Sequence, residues 1–339
     1  MGHVTSALLQ IEKLSVSYRR GGATIQAVDA VDLEVPAATM LGLVGESGCG
    51  KSTLARAIMG VLPGNAKIAG GRVALAGEEL VPSMDARRRE RLWREISFVP
   101  QTAMNALDPV YRLRDQMREV LCSRGGLSAA QSDKRAAELF SAVGLDPRRL
   151  MDFPHQFSGG MRQRAAIALA LALDPKLIIA DEPVTALDVI VQRQVLDTIR
   201  MLGRDLGLSA IVVTHDISVV AYLCTLTAVM YGGRIVEFGA TAELVAAPSH
   251  PYTMGLMNAS PDLKARIDML VPIEGAPPDL SNPPPGCRFA PRCPFALPRC
   301  HEISPEIVEI ATGHRVACHR AGEAPALREL AGEAQTWSA

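Results

Sequence analysis

One stretch of nine residues, GESGCGKST from Gly45 to Thr53, constrains the fold of this chain more than any other. It matches the phosphate-binding template G-x-x-x-x-G-K-[ST]. The apolar residues 40–44 before it predict a buried strand, and residues 54–59 after it predict a helix. Glycines allow several backbone N–H groups to point at one anion, and the helix N-terminus adds positive potential there. The stretch therefore predicts a phosphate-binding loop; a glycine-rich turn without a ligand is the alternative.

The side chains of this loop suit a nucleotide. Lys51 is placed to reach the β- and γ-phosphates, and the Ser52 hydroxyl to bind Mg²⁺. Lys51 and the helix N-terminus should both lower the thiol pKa of Cys49 and make that thiol reactive if it is accessible. The predicted nucleotide-binding residues of the loop are Gly45, Glu46, Ser47, Gly48, Cys49, Gly50, Lys51, Ser52 and Thr53.

Composition limits the classes of partner. The 339 residues suggest about two domains, and the formal net charge is −1. Such a balance gives no electrostatic attraction for nucleic acid, so no nucleic-acid partner is expected. We find no apolar run of the ~18 residues that a membrane span needs, and no pattern of a signal peptide. In a cytosolic chain the cysteines are not expected to form structural disulfides.

The hydrophobic pattern predicts both strands and helices. Alternating apolar and polar residues predict strands over 8–18 and 27–35. Residues 226–238 predict a hairpin with a two-glycine turn. Between about 102 and 156 the pattern changes to helices, one of which opens with a capping box at Ser128. The chain is therefore predicted to be an α/β protein with a helical insertion.

Polar residues follow three of the predicted buried strands. Asp181 and Glu182 come at the end of one strand, His215 just after another, and Gln101 shortly after a third. Parallel sheets of α/β proteins carry their chemistry at the carboxyl ends of the strands. The alternative for Gln101 is a plain surface residue at a strand end, and for His215 a structural loop histidine.

The segment FSGGM at residues 157–161 precedes an apolar helix. Ser158 is a natural N-cap for that helix, and Gly159 and Gly160 leave backbone N–H groups accessible to a second anion. Asp188 begins the next long helix, where an N-cap role is the alternative to a functional one.

The order of these motifs resembles the nucleotide-binding subunit of ATP-binding-cassette (ABC) transporters over residues of about 7 to 245. Within that family the chain looks most like the oligopeptide/dipeptide permease group of importers. This closer likeness is carried by FSGGMRQR at 157–164, residues 181–189, HPYT at 250–253 and a cysteine-rich tail.

The resemblance implies an α/β fold, a P-loop NTPase ABC cassette with a RecA-like core, an antiparallel β subdomain and a helical subdomain. A small Cys-rich C-terminal domain would follow the cassette. The nucleotide-binding domain would cover residues 1–245, with the helical subdomain at about 102–160. The C-terminal domain, of the oligopeptide-permease type, would cover residues 246–339.

The resemblance also implies roles in ATP hydrolysis. Asp181, Ser52 and Gln101 would hold Mg²⁺ or its water shell. Glu182 would be the general base that polarises the attacking water, and His215 would contact the γ-phosphate.

Other residues are implied in binding the nucleotide itself. Tyr18 would stack on the adenine ring. Ser158, Gly159 and Gly160 would bind the γ-phosphate of ATP held by the opposite subunit, and Asp188 would lie at that subunit boundary.

Four cysteines of the tail, Cys287, Cys293, Cys300 and Cys318, are spaced C-x5-C-x6-C-x17-C. This spacing matches neither common zinc sites nor the usual ferredoxin motifs, although four thiolates so close in sequence could hold one metal centre. Similar tails in the peptide-permease group look like [4Fe–4S] sites. The resemblance therefore implies a [4Fe–4S] cluster at residues 287–318 first, zinc second, and unmetallated packing cysteines third.

Together the resemblance implies a peripheral ATPase at the cytoplasmic face of the cell membrane that energises peptide import. Its partners would be a second ABC ATPase subunit, commonly a paralogue in this group, two transmembrane permease subunits and an external solute-binding protein. The alternatives are an importer of nickel or sugar, a soluble cassette ATPase without a transport role, and a different P-loop enzyme such as a small-molecule kinase.

Overall fold

A computed structural model describes residues 7–81, 91–101, 106–259 and 273–337. Its strands are β1 (Leu9–Arg20), β2 (Ala23–Val35), β3 (Met40–Val44), β4 (Ala66–Leu75), β5 (Glu78–Val81), β6 (Ile96–Val99), β7 (Leu177–Asp181), β8 (Ser209–Thr214), β9 (Leu226–Tyr231), β10 (Arg234–Ala240), β11 (Val308–Ala311) and β12 (His314–Val316).

The α-helices of the described residues are α1 (Lys51–Met59), α2 (Leu113–Ser123), α3 (Ala129–Ala142), α4 (Gly159–Ala170), α5 (Val189–Leu206), α6 (Ile217–Leu223), α7 (Thr241–Ala246), α8 (Pro251–Asn258), α9 (Pro298–Glu302) and α10 (Ala324–Ala331). Short 3₁₀ helices lie at Pro147–Met151, Pro154–Gln156, Ala290–Arg292, Ala321–Glu323 and Ala334–Trp337. None of the helices within these described ranges combines the length and the apolarity needed to cross a membrane.

The chain separates into two compact units. The first comprises Met1–Val35, Leu41–Pro82 and Thr214–Ala339, and the second comprises Pro36–Met40 and Ser83–Val213. The C-terminal stretch thus belongs to the same unit as the N-terminal strands, and the N–H of Gln26 donates to the carbonyl of Leu280 (3.1 Å). The predicted division into 1–245 and 246–339 stays a prediction, and its residues 1–6, 260–272 and 338–339 lie outside the described residues.

The first unit contains an antiparallel sheet in the order β2-β1-β4-β5. Strand β1 lies near its centre and buries Leu9, Ile11, Leu14 and Val16, each at most 1% exposed. The two predicted N-terminal strands are confirmed as β1 and β2. Their alternating pattern places one face of the sheet in a core.

A second group of strands in this unit runs β11-β12-β10-β9-β3. Strands β9 and β10 form the predicted antiparallel hairpin, and Gly232 and Gly233 at its turn have φ of 54° and 86°. Strand β12 from the C-terminal stretch pairs with β10. Strand β3, which leads into the phosphate-binding loop, runs parallel to β9.

The second unit has three parallel strands in the order β8-β7-β6. The predicted helical insertion is present as α2, α3 and two 3₁₀ helices, although residues 102–105 of the predicted range lie outside the described residues. The capping box of α3 is confirmed: Ser128 Oγ accepts from the N–H of Gln131 (3.4 Å), and Gln131 Oε1 accepts from the N–H of Ser128 (2.9 Å).

Candidate nucleotide-binding site

The backbone of the phosphate-binding loop passes very close to neighbouring strands. A Cβ atom on Gly45 would lie 2.1 Å from the carbonyl oxygen of Met230. A Cβ on Gly50, whose φ is 108°, would lie 2.2 Å from the carbonyl oxygen of Ala27. No other residue type fits these two positions, so the glycines fix the path of the loop between β3 and α1.

Lys51, the first residue of α1, points its amine into the loop. Its side chain is buried, and Nζ donates to the carbonyl oxygens of Gly45 (2.6 Å) and Glu46 (2.9 Å). The amine is thus held beside the backbone groups that the template assigns to phosphate binding. A positive charge, a helix N-terminus and a glycine-rich loop meet here, as predicted.

The environment of Cys49 differs from the one that the sequence predicted for its thiol. Its side chain is 3% exposed, and burial raises the thiol pKa more strongly than the charge of Lys51 lowers it. The prediction of a lowered pKa was wrong, because desolvation disfavours the thiolate. The thiol was predicted to be reactive only if accessible, and it is buried. Sequence reasoning considered the neighbouring cation and could not see the burial.

Tyr18 of β1 contacts Thr53 of α1. The Tyr18 hydroxyl lies 3.2 Å from Thr53 Oγ1, and the Tyr18 side chain is half-buried. Ser52 occupies the first turn of α1 and is also half-buried. The adenine-stacking role of Tyr18 and the Mg²⁺ role of Ser52 stay predictions.

Asp181 and Glu182 lie at the carboxyl end of β7 in the second unit. Asp181 is its last residue and is 5% exposed. Glu182 has a φ of 51°, a left-handed backbone conformation that residues other than glycine rarely adopt. Its N–H donates to the carbonyl of Val213 (2.8 Å), and its Oε2 accepts from Thr185 Oγ1 (2.8 Å). A strained acidic residue held by specific bonds is typical of a functional position.

Ser158 caps α4 as predicted, since its Oγ accepts from the N–H of Met161 (3.3 Å). Ser158 is exposed, whereas Gly160 is buried against α5. A Cβ on Gly160 would lie 2.1 Å from Val191 Cγ1. This glycine thus has a packing role whether or not Ser158, Gly159 and Gly160 also bind an anion.

Asp188 caps α5, and its Oδ1 accepts from the N–H of Val191 (3.0 Å). Gln101 lies in the turn after β6, and His215 follows the last residue of β8. All three side chains are exposed. The cap confirms the structural alternative for Asp188, while the functional roles of the three residues stay predictions.

The four tail cysteines line one enclosed cavity, together with His250 and His319. Burial raises the thiol pKa of Cys287, that of Cys293 to about 12, and that of Cys318 to about 11. Cys300 lies in α9 and is buried. Within the part of the chain that the structure describes, no group of three or more His, Cys, Asp or Glu side chains is arranged to hold a metal ion. The thiols are therefore neighbours but not an assembled ligand set.

Sequence reasoning missed two contacts to the loop from the C-terminal stretch. Tyr252 and Arg292 both bond to Glu46, the second residue of the loop. Their motifs were visible in the sequence, Tyr252 in HPYT and Arg292 beside Cys293. Nothing in either motif indicates a partner more than 200 residues away.

Comparison with known proteins identifies two family regions in this chain. The ABC transporter family matches residues 28–185, and the family described as the oligopeptide/dipeptide transporter C-terminal region matches residues 236–300. The second match contains the HPYT motif and three of the four tail cysteines.

Curated relatives are similar over almost the whole chain. The dipeptide transport ATP-binding protein DppD of Bacillus subtilis is 40% identical, over 97% of this chain and 99% of that protein. A probable peptide ABC transporter ATP-binding protein of Sinorhizobium fredii is 43% identical, over 93% of this chain and 96% of that protein.

Solved structures match the cassette part. A dimeric ATP-binding cassette in a post-hydrolysis state, bound to ADP and Pi, superposes with a TM-score of 0.60 at 27% identity. It covers 69% of this chain and 98% of that one. The protein cbiO1 of Clostridium perfringens, part of an ABC transporter complex, has a TM-score of 0.61 at 26% identity, covering 71% of this chain and 91% of that one.

Proposed function

This chain belongs to the ABC transporter family and is an ATPase of that family, and on this premise we propose that it energises peptide import. Its ATP hydrolysis would drive peptides through separate membrane subunits. The observation that carries the proposal is the phosphate-binding loop with its inward-pointing Lys51, in a chain about 40% identical to peptide-transport ATP-binding proteins over most of its length.

The loop residues fit a nucleoside triphosphate. The glycine-rich loop, the amine of Lys51 and the N-terminus of α1 together favour a polyphosphate. We assign Tyr18 to the adenine ring. The loop from Gly45 to Thr53 is assigned to the phosphates, through its backbone and the Lys51 amine and not through the Glu46 carboxylate. Mg²⁺ would neutralise phosphate charge, and Ser52 would be one of its ligands.

Acidic and polar residues of other elements are assigned to the metal ion and to catalysis. Asp181 and Gln101 are assigned to Mg²⁺, since carboxylate and amide oxygens suit this hard cation. Glu182 is assigned as the general base that takes the proton of the attacking water, and His215 as a contact to the γ-phosphate. The left-handed backbone of Glu182 and its hydrogen bonds to Val213 and Thr185 support this assignment.

We further propose that the working enzyme contains two cassettes. Ser158, Gly159, Gly160 and Asp188 would act on the nucleotide of the partner cassette, which would be a paralogue of this chain. The other partners would be two transmembrane permease subunits and an external solute-binding protein, with this chain on the cytoplasmic face of the membrane. The similar cassette structure is a dimer, which supports the pairing.

Reconstitution of this chain with its membrane subunits and binding protein tests the transport function. We expect peptide added with the binding protein to stimulate ATP hydrolysis, and Lys51→Ala to abolish it by loss of nucleotide binding. Stimulation by nickel or a sugar instead of peptide would reassign the solute. Failure of the chain to bring down any polytopic subunit from membranes would contradict the importer.

For the C-terminal region we propose a domain of the oligopeptide-permease type at 246–339 that holds a metal centre at residues 287–318. The cavity lined by Cys287, Cys293, Cys300 and Cys318 supports this assignment. A [4Fe–4S] cluster is our first choice and zinc the second, since soft thiolates suit both. Binding would require the thiols to lose their protons and move together.

Metal analysis of anaerobically purified protein tests this centre. A cluster should give brown protein with about four irons and four labile sulfides per chain. Replacing any one of the four cysteines by serine should remove it, and Cys122→Ser should not. One zinc without sulfide would support the second choice. Neither metal, with all four thiols alkylated in the native protein, would contradict the site.

A further inference from the structure

The C-terminal stretch contacts the phosphate-binding loop at Glu46, the second residue of the loop. The Glu46 N–H donates to the Tyr252 hydroxyl (2.8 Å). The Glu46 carboxylate forms a two-pronged ion pair with Arg292, Nη1 to Oε2 at 2.7 Å and Nη2 to Oε1 at 3.0 Å. Such parallel pairs fix both the charge and the orientation of the carboxylate. Both the backbone and the side chain of Glu46 are thus held from outside the loop.

Arg292 is itself rigidly placed. Its side chain is 6% exposed, against 26% for that of Glu46. Its Nε donates to the carbonyl of Glu274 (2.9 Å), Nη2 to that of Ile273 (3.0 Å), and Nη1 lies 3.2 Å from the Tyr231 hydroxyl. These hydrogen bonds hold the guanidinium in position beside Glu46, so the arginine anchors the loop.

Tyr252 is equally fixed. It is fully buried, and its ring centroid lies 4.5 Å from that of Tyr231 and 5.4 Å from that of Phe289. Since its hydroxyl accepts the Glu46 N–H, that backbone group points at the tyrosine. The direction of this peptide unit in the loop is therefore set by the C-terminal stretch.

The negative charge of Glu46 makes its pairing with Arg292 important for phosphate binding. A carboxylate in a loop that binds polyphosphate repels its ligand, unless a cation neutralises it and turns it away. We propose that Arg292, with Tyr252, is a positioning residue for the phosphate-binding loop, neutralising Glu46 and holding the loop ready for ATP. This inference rests on the nucleotide-binding role proposed above.

Arg288 provides a matched control. It lies in the same cysteine segment, its side chain is 7% exposed, and it pairs with Asp29 (2.5 Å), an acid outside the loop. It also bonds to the carbonyl of Gly232. Arg288→Gln and Arg292→Gln therefore both remove a buried arginine that ties this segment to a strand-rich core. Only the second breaks a direct contact with the loop.

The experiment compares MgATP binding by the full-length variants using titration calorimetry, with urea unfolding in parallel. Arg292→Gln should raise the Kd for MgATP by about tenfold, because an uncompensated carboxylate remains in the loop. Arg288→Gln should lose similar stability and change the Kd by less than about twofold. The double variant Glu46→Gln/Arg292→Gln should recover most of the affinity, which a merely structural role would not produce.

Two results would overturn the inference: an equal Kd for Arg292→Gln and Arg288→Gln, or a double variant that binds no better than Arg292→Gln alone. If Arg292→Gln does not fold, Tyr252→Phe keeps the ring and removes only the acceptor. It should raise the Kd severalfold, and an unchanged Kd would again overturn the inference. Failure of the proposed function looks different: the unmutated chain would not bind MgATP, or Lys51→Ala would bind it equally well.

Discussion

Glu182 combines an acidic side chain, a left-handed backbone and two specific hydrogen bonds. If it is the general base, Glu182→Gln should keep MgATP binding and reduce ATP turnover in the assembled transporter by about 100-fold or more, because an amide cannot accept the proton. Steady-state hydrolysis and equilibrium nucleotide binding, measured on the same preparation, check this expectation.

A substitution at Thr185 provides a milder variant for comparison with Glu182→Gln. Thr185→Val removes the bond from Oγ1 to Glu182 Oε2 and keeps the carboxylate. We expect a smaller loss of turnover than for Glu182→Gln, since the base is less well aimed but present. Near-normal hydrolysis by Glu182→Gln would place the base elsewhere.

Cys49 should react slowly with maleimides, because the thiol lacks the accessibility on which the predicted reactivity depended. Its thiol is buried and its pKa lies above the ordinary value, so the thiolate is scarce at neutral pH. The alkylation rate should therefore keep rising with pH through about 9, because deprotonation is incomplete below the raised pKa. Mass spectrometry can follow this site beside Cys122, which is half-buried and should react first. Faster labelling of Cys49 than of Cys122 at neutral pH would contradict the burial argument.

At the scale of elements, Gly160 sets how closely α4 approaches α5. Gly160→Ala should lower the free energy of unfolding by about 1–2 kcal/mol, since the new methyl would meet Val191 Cγ1 at 2.1 Å and β-branched valine has little rotamer freedom in a helix. This clash outweighs the better helix propensity of alanine. Urea unfolding measures the loss, and Val191→Ala in the same chain should restore part of it. No recovery in the double variant would place the strain elsewhere.

At the scale of the whole molecule, activity should depend on assembly. Because the proposed site needs Ser158 and Gly160 of a second cassette, the isolated chain should hydrolyse ATP poorly when dilute. Specific activity should fall over a roughly hundredfold dilution, by mass action on the dimer, and rise when the partner cassette and membrane subunits are added. Hydrolysis that is fast and independent of dilution would contradict a shared site.

Several features of this protein were determined by the sequence because they are local. The loop from Gly45 to Thr53 lies between a strand and a helix as predicted, and the capping box at Ser128 and the N-cap at Ser158 are formed. The glycine turn of the β9–β10 hairpin is also present. In each case the residues that specify the feature are neighbours along the chain, so their spacing alone carries the information.

Other features were decided only by tertiary structure, because they depend on groups far apart in sequence. The thiol pKa of Cys49 is set by burial, which a sequence pattern does not measure. Glu46 and Arg292 lie 246 positions apart in the sequence, and the fold brings their charges together at 2.7 Å. The tail cysteines line one cavity, although their spacing matches neither the common zinc sites nor the usual ferredoxin motifs. Spacing specifies what short segments do, and burial and charge pairing arise only when distant segments pack.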